Sequence, residues 1–96
     1  MNNHDQRFEV MLRNVVTGAA SMFRVLPNVN IGFIFQHFAM RHGIQEDREK
    51  WELVYTNAEG VKHVMDMERT LGDYGVRDLD HIYIEPKLVM RQEIRS

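Results

Sequence analysis

Five histidines, fourteen carboxylates and no cysteine set the range of chemistry open to this 96-residue chain. The missing thiols exclude disulfides, zinc ribbons, thiolate-held iron–sulfur clusters and a cysteine nucleophile, and they fit a reducing compartment. His37 and His42 stand five apart on a helical stretch, about 140° around it at roughly 100° per residue, so they share no ligand face. His63 and His81 fall near the ends of expected strands, and no HExxH-type spacing is present. No metal and no other cofactor is expected. The adjacent acids Glu46 and Asp47 and the pairs Asp66/Glu68 and Asp78/Asp80 have the residue type for general acid–base work. They lack a histidine–nucleophile arrangement or a pocket-forming insertion beside them, and read as solvated surface. Gly72 and Gly75 do not form a phosphate loop, because the GxxxxGK[ST] lysine and its following helix are missing. No catalytic residue is assigned, and the chain reads as a non-enzyme.

Charge and hydropathy narrow the partners. Twelve basic against fourteen acidic side chains give a formal net charge of −2, which argues against a nucleic-acid footprint. Arg41, Arg48 and Lys50 cluster near a helix end, but Glu46, Asp47 and Glu49 balance them. No apolar run approaches the ~20 residues that span a bilayer, so no membrane insertion is expected. The polar start MNNHDQR is no secretory signal, and a cytoplasmic or nuclear location is expected. With 44% apolar and 27% charged residues, the chain has the composition of one soluble globular domain.

The elements follow from periodicity. Residues 30–44, NIGFIFQHFAMRHGI, predict a helix. Asn30 is a suitable N-cap, Ile31, Ile34, Phe35 and Phe38 recur at i, i+3, i+4 and i+7, and Gly43 suits a left-handed C-terminus. Residues 7–14 alternate through Phe8, Val10 and Leu12, Thr17-Gly18 predicts a hairpin turn, and residues 21–26 alternate again through Phe23 and Val25. Pro27 ends that strand. After the charged connection 45–50, alternation returns at 51–56, where Trp51, Leu53 and Tyr55 oppose Glu52, Val54 and Thr56. A short strand is expected within 62–67. The last, 81–85, has Ile82 and Ile84 as its inward pair and stops at Pro86. Two strands, a helix and two or three more strands form an α+β β-grasp, a mixed four- to five-stranded sheet wrapped on one amphipathic helix, with first and last strands parallel.

Several of these residues resemble the ubiquitin-like family. Val25-Leu26-Pro27-Asn28-Val29-Asn30-Ile31 is similar to ubiquitin's V-E-P-S-D-T-I, and Arg69-Thr70-Leu71-Gly72-Asp73-Tyr74-Gly75-Val76 to R-T-L-S-D-Y-N-I. Thr17-Gly18, Gly43-Ile44 and the Leu53/Tyr55 strand keep the family's order and spacing. The resemblance covers residues 7–86, leaving 1–6 as a flexible N-terminal segment and 87–96 as a tail or linker. It implies that Leu71 packs beneath the helix and that the Tyr74 hydroxyl braces the preceding loop. The departures bear on function. Pro86 and LVMRQEIRS follow the last strand where conjugated members end in Gly-Gly, so a non-conjugating member is expected. In the family's docking patch, the resemblance matches Val54 or a near neighbour to the central isoleucine and Val16 to the hairpin-tip leucine. Glu85 replaces the last-strand valine and Tyr83 the neighbouring histidine.

The expected function is that of a non-enzymatic protein–protein interaction module, an internal domain of a larger protein or a small accessory subunit of an assembly. A structural subunit of a multicomponent enzyme complex is the alternative. With the core stripe on the sheet, helical geometry sends Phe33, His37 and Met40 to the opposite side. These three, with Val54 and Tyr83 on the sheet, are the expected contacts for a protein partner or a homodimer.

Overall fold

The computed structural model describes residues 7–44 and 49–87. The expected flexible segment 1–6, residues 88–96 of the tail, and Glu46, Asp47 and Arg48 of the charged connection lie outside them. Strands β1 (Phe8–Asn14) and β2 (Ala20–Val25) form the first hairpin, and helix α1 (Ile31–His42) follows. Then come β3 (Trp51–Thr56), β4 (Lys62–Met65), a 3-10 turn (Gly72–Tyr74) and β5 (Asp80–Pro86). One sheet holds all five strands in the order β2-β1-β5-β3-β4. β1 and β5 run parallel at its centre, and the other pairs are antiparallel. This is the β-grasp topology expected from the sequence.

The helix forms where its periodicity places it. Asn30 Oδ1 accepts the Phe33 N–H at 3.3 Å, and Gly43 closes the other end at φ 67, its N–H on the Ala39 carbonyl. Two further N-terminal donors find partners far along the chain. The Ile31 N–H bonds the Arg69 carbonyl and the Gly32 N–H that of Met67, both at 2.9 Å. A helix start otherwise leaves such donors unpaired, so the 67–70 segment acts as an external cap.

Ile31, Ile34, Phe35 and Phe38 are buried against Val10, Leu12, Leu53, Tyr55, Ile82 and Ile84 of the sheet. Leu71 and Val76 close the same core from the far loop. Fully burying one such side chain contributes about 1.5–3 kcal/mol, so the apolar stripe, more than intrinsic propensity, holds the helix in place. The Leu71–Gly72 corner is fixed by backbone contact. Gly72 donates to the Pro27 carbonyl at 2.8 Å, and a Cβ there would lie 3.2 Å from the same oxygen.

β4 ends at Met65, two residues short of the expected 62–67 limit. The reason is local hydrogen bonding. The Asp66 N–H donates to the Tyr74 hydroxyl at 2.7 Å, and the Glu68 N–H to Asp66 Oδ1 at 2.9 Å, which turns the chain out of the ladder. The Tyr74 hydroxyl thus braces this loop, as the resemblance implied. Thr70 and Asp73 cap each other reciprocally, and the donated Thr70 N–H, followed by its hydroxyl, holds the Asp73 carboxyl below the usual carboxylate range.

Candidate functional site

Three surfaces carry the residues that the sequence singles out. The first is the outer face of α1. Phe33 is 51% exposed and Met40 70% exposed, with exposed His37 between them. The Phe33 and His37 rings meet edge to face, with centroids 4.3 Å apart. The helix therefore brings these three residues together and turns them away from the sheet. Single exposed apolar side chains are ordinary, but here a phenylalanine and a methionine share one helix stripe with the His37 ring between them.

The second surface is the sheet face opposite the helix. Register places Val64, Val54, Tyr83 and Arg13 in one cross-strand row over β4, β3, β5 and β1. Val54 is only 4% exposed although it lies outside the main core. As a small β-branched side chain on a central strand it sits between Val64, 57% exposed, and Tyr83, 37% exposed. Those larger or more peripheral neighbours present the surface, and Val54 supports it from below. The next row pairs Met11 with Met22 on one side and His81 on the other. Val16 at the hairpin tip is exposed. Glu52 and Glu85 face each other across β3 and β5.

The third surface was not foreseen. A groove of about 200 Å³ runs between β2 and α1, lined by Phe23, Arg24, Val25, Phe33, Ile34, His37 and Arg41. The Arg41 guanidinium lies 5.0 Å from the Phe23 ring centroid, a cation–π distance that holds it at the groove. The sequence did show Phe23 and Val25 in one phase. It did not show that β2 is an edge strand, and that position opens the groove.

The titratable residues take structural positions. His42 Nε2 lies 2.7 Å from Ser21 Oγ and its ring lies 4.4 Å from that of Phe38, tying the end of α1 to β2. Asp80 accepts the Tyr55 hydroxyl at 2.6 Å and the Arg77 N–H at 2.8 Å. Burial first, and then this bond to Asp80, pushes the Tyr55 phenol up to about 12. Asp78 accepts the Glu9 N–H at 2.8 Å. Both acids of the Asp78/Asp80 pair are thus hydrogen-bond acceptors that set the entrance of β5. Among the described residues no group of three or more histidine, aspartate or glutamate side chains is placed to hold a metal ion. No helix there is long and apolar enough to cross a membrane.

No family model and no curated protein matches the sequence. The structure is similar to the ubiquitin of Caldiarchaeum subterraneum, with a TM-score of 0.68 and 20% sequence identity over 86% of this chain and 96% of that one. It is also similar to the UBL domain of Dsk2 from Plasmodium falciparum, with a TM-score of 0.67 and 15% identity over 84% of this chain and 99% of that one. At these identities the likeness establishes the fold, which is the ubiquitin-like β-grasp.

Proposed function

We propose that this ubiquitin-like fold serves as a non-enzymatic protein-interaction module, an internal domain of a larger protein or a small subunit of an assembly. The observation that carries this reading is the strip formed by Phe33, His37 and Met40, turned to water by a helix whose other face is fully used in the core. The row Val64, Val54 and Tyr83 supplies a second contact area on the opposite side of the molecule. Apolar and aromatic side chains of these types are enriched in interface cores.

The test is the double substitution Phe33→Ser with Met40→Ser in the full chain. Because both side chains face solvent, the unfolding free energy should change by no more than about 0.5–1 kcal/mol. Partner capture or self-association should be lost. Unfolding of the variant would place the two residues in the core. A folded variant that still associates would move the contact to the sheet face around Val64 and Tyr83.

A further inference from the structure

We infer that Met11, Met22 and His81 form a binding site for one soft monovalent cation, Cu(I), on the sheet face opposite the helix. The site is separate from the protein contacts assigned above and goes beyond the interaction-module reading.

Three neighbouring strands supply the ligands. Register sets Met11 of β1 directly beside Met22 of β2 and directly beside His81 of β5. Val10, Leu12 and Ile82 are buried in the core, so alternation turns Met11 and His81 to the other face. Met22 shares that face through its pairing with Met11. Adjacent strands lie about 4.8 Å apart, so the three side chains rise from a strip about 10 Å wide with Met11 at its centre.

The backbone shows which kind of pair the two methionines make. The Glu9 N–H and carbonyl bond Asp78 Oδ1 and the Leu79 N–H, on the β5 side of β1. Met11, two residues on, keeps that direction and sends its backbone bonds to β5. Its pair with Met22 is therefore the non-hydrogen-bonded kind, with Cα atoms about 4.5 Å apart and side chains close together. Thioether arms are unbranched and flexible. Met22 can lean over Met11 from one side and the His81 imidazole from the other, which gives a three-coordinate set.

Donor type fixes the occupant. Two thioethers and one imidazole are neutral, and thioether sulfur selects Cu(I), whereas Mg(II) and Ca(II) prefer oxygen. His42 lies at hydrogen-bond distance from Ser21, and His63 from Asn57. The His81 ring, by contrast, meets only the Tyr83 ring among the described residues, with centroids 6.3 Å apart. Its nitrogens are open for ligation. Tyr83 also sets an aromatic ring at the margin of the site, where a cation is attracted by the ring quadrupole. Core packing does not account for the trio, because Met22, His81 and Tyr83 are all exposed. His37 and Met40 on α1 offer one nitrogen and one sulfur only, which makes them the internal comparison.

The experiment titrates Ag(I), a redox-inert stand-in for Cu(I), into isotope-labelled full chain in chloride-free buffer. Methionine methyl, histidine ring and backbone amide signals are followed. A single equivalent should saturate the shifts at Met11, Met22 and His81, while Mg(II) at the same concentration leaves them in place. Cu(I) affinity is then read without oxygen by competition with a chromophoric Cu(I) chelator. Met11→Leu, Met22→Leu and His81→Gln should each weaken Cu(I) binding by at least about tenfold, the loss found even for groups that only orient a ligand. The leucine variants conserve volume and should keep the fold, and His81→Gln, at an exposed position, decides the matter if they do not. Met40→Leu removes one thioether elsewhere and should leave the affinity unchanged. Ag(I) shifts confined to other methionines, no shifts at one equivalent, an equal response to Mg(II), or undiminished Cu(I) affinity in any folded variant of the trio would each overturn the inference. None of these results bears on partner capture by Phe33 and Met40, so the two readings stand or fall separately.

Discussion

Leu71→Ala is the most direct test of how the far loop is tied to the helix. Leu71 is 0% exposed and belongs to the same core as Ile31, Phe35 and Phe38. Its backbone is independently held, with its N–H on the Val29 carbonyl and its own carbonyl accepting from Tyr74 and Val76. Truncation therefore removes side-chain burial and leaves the loop's hydrogen bonds in place. Three lost carbons at about 0.8 kcal/mol each give about 2.4 kcal/mol of transfer free energy. The cavity left by incomplete relaxation raises the expected cost to about 3–4 kcal/mol. A domain of this length has roughly 5–14 kcal/mol in total, so the variant should remain folded with a visibly lower midpoint. At a urea slope of about 1–1.5 kcal/mol/M, the midpoint should fall by about 2–4 M with the slope unchanged. Two-state urea titration by Trp51 fluorescence reads this directly. A shift below about 0.5 M at constant slope would refute the burial argument and the placement of the loop beneath the helix.

Four further outcomes are expected. Tyr74→Phe deprives the Asp66 N–H of its partner and should cost about 0.5–1.5 kcal/mol, with faster hydrogen exchange at Asp66; unchanged exchange there would count against the brace. Tyr55 stays protonated up to about 12 when folded, whereas an unfolded tyrosine ionises near pH 10. Its contribution is therefore constant below pH 10 and lost as pH rises to about 12, bounded at about 2.7 kcal/mol and reduced wherever water screens the hydroxyl. The stability difference between wild type and Tyr55→Phe should shrink across that window, and a flat difference would reject the assignment. Glu85→Lys converts the carboxylate pair with Glu52 into an opposite-charge pair and should stabilise by about 0.2–1 kcal/mol, less in high salt; destabilisation in urea would contradict the register. Leu79 is exposed at φ 69, so Leu79→Asn should raise the melting midpoint by relieving up to about 1 kcal/mol of left-handed strain.

Local patterns reached most of the fold because each element carries its own period. The stripe Ile31, Ile34, Phe35 and Phe38 needs only a neighbouring apolar surface to become the buried face, and Ile82 and Ile84 declare the inner side of β5 in the same way. What stayed hidden depends on pairs distant in sequence. Tyr55 and Asp80 meet because β3 and β5 are neighbours in one register, and nothing near either residue announces the other. Alternation put Val54 on the outer face, yet its burial comes from Val64 and Tyr83 on two different strands. The β2–α1 groove was beyond local reading for the same reason. Phe23 and Phe33 are both visible as apolar residues, but only the strand order leaves them beside an open edge.

The central parallel pair has a consequence for how the chain is made. Glu9 and the Asp78 that receives its N–H are 69 positions apart. At roughly 5–20 residues per second, a ribosome delivers β1 several seconds before β5 exists to lie beside it. During that interval the nascent hairpin of β1 and β2 carries Val10 and Leu12 without the strand that completes the middle of the sheet. Chaperone contact in synthesis should thus concentrate on residues 8–25 and end only after β5 has emerged. Limited proteolysis of stalled ribosome complexes would show it as cleavage within β1 when synthesis halts before residue 79, and as resistance once the whole of β5 is clear of the ribosome. Protection of β1 in the shorter complexes would mean that the hairpin and helix fold without their last strand.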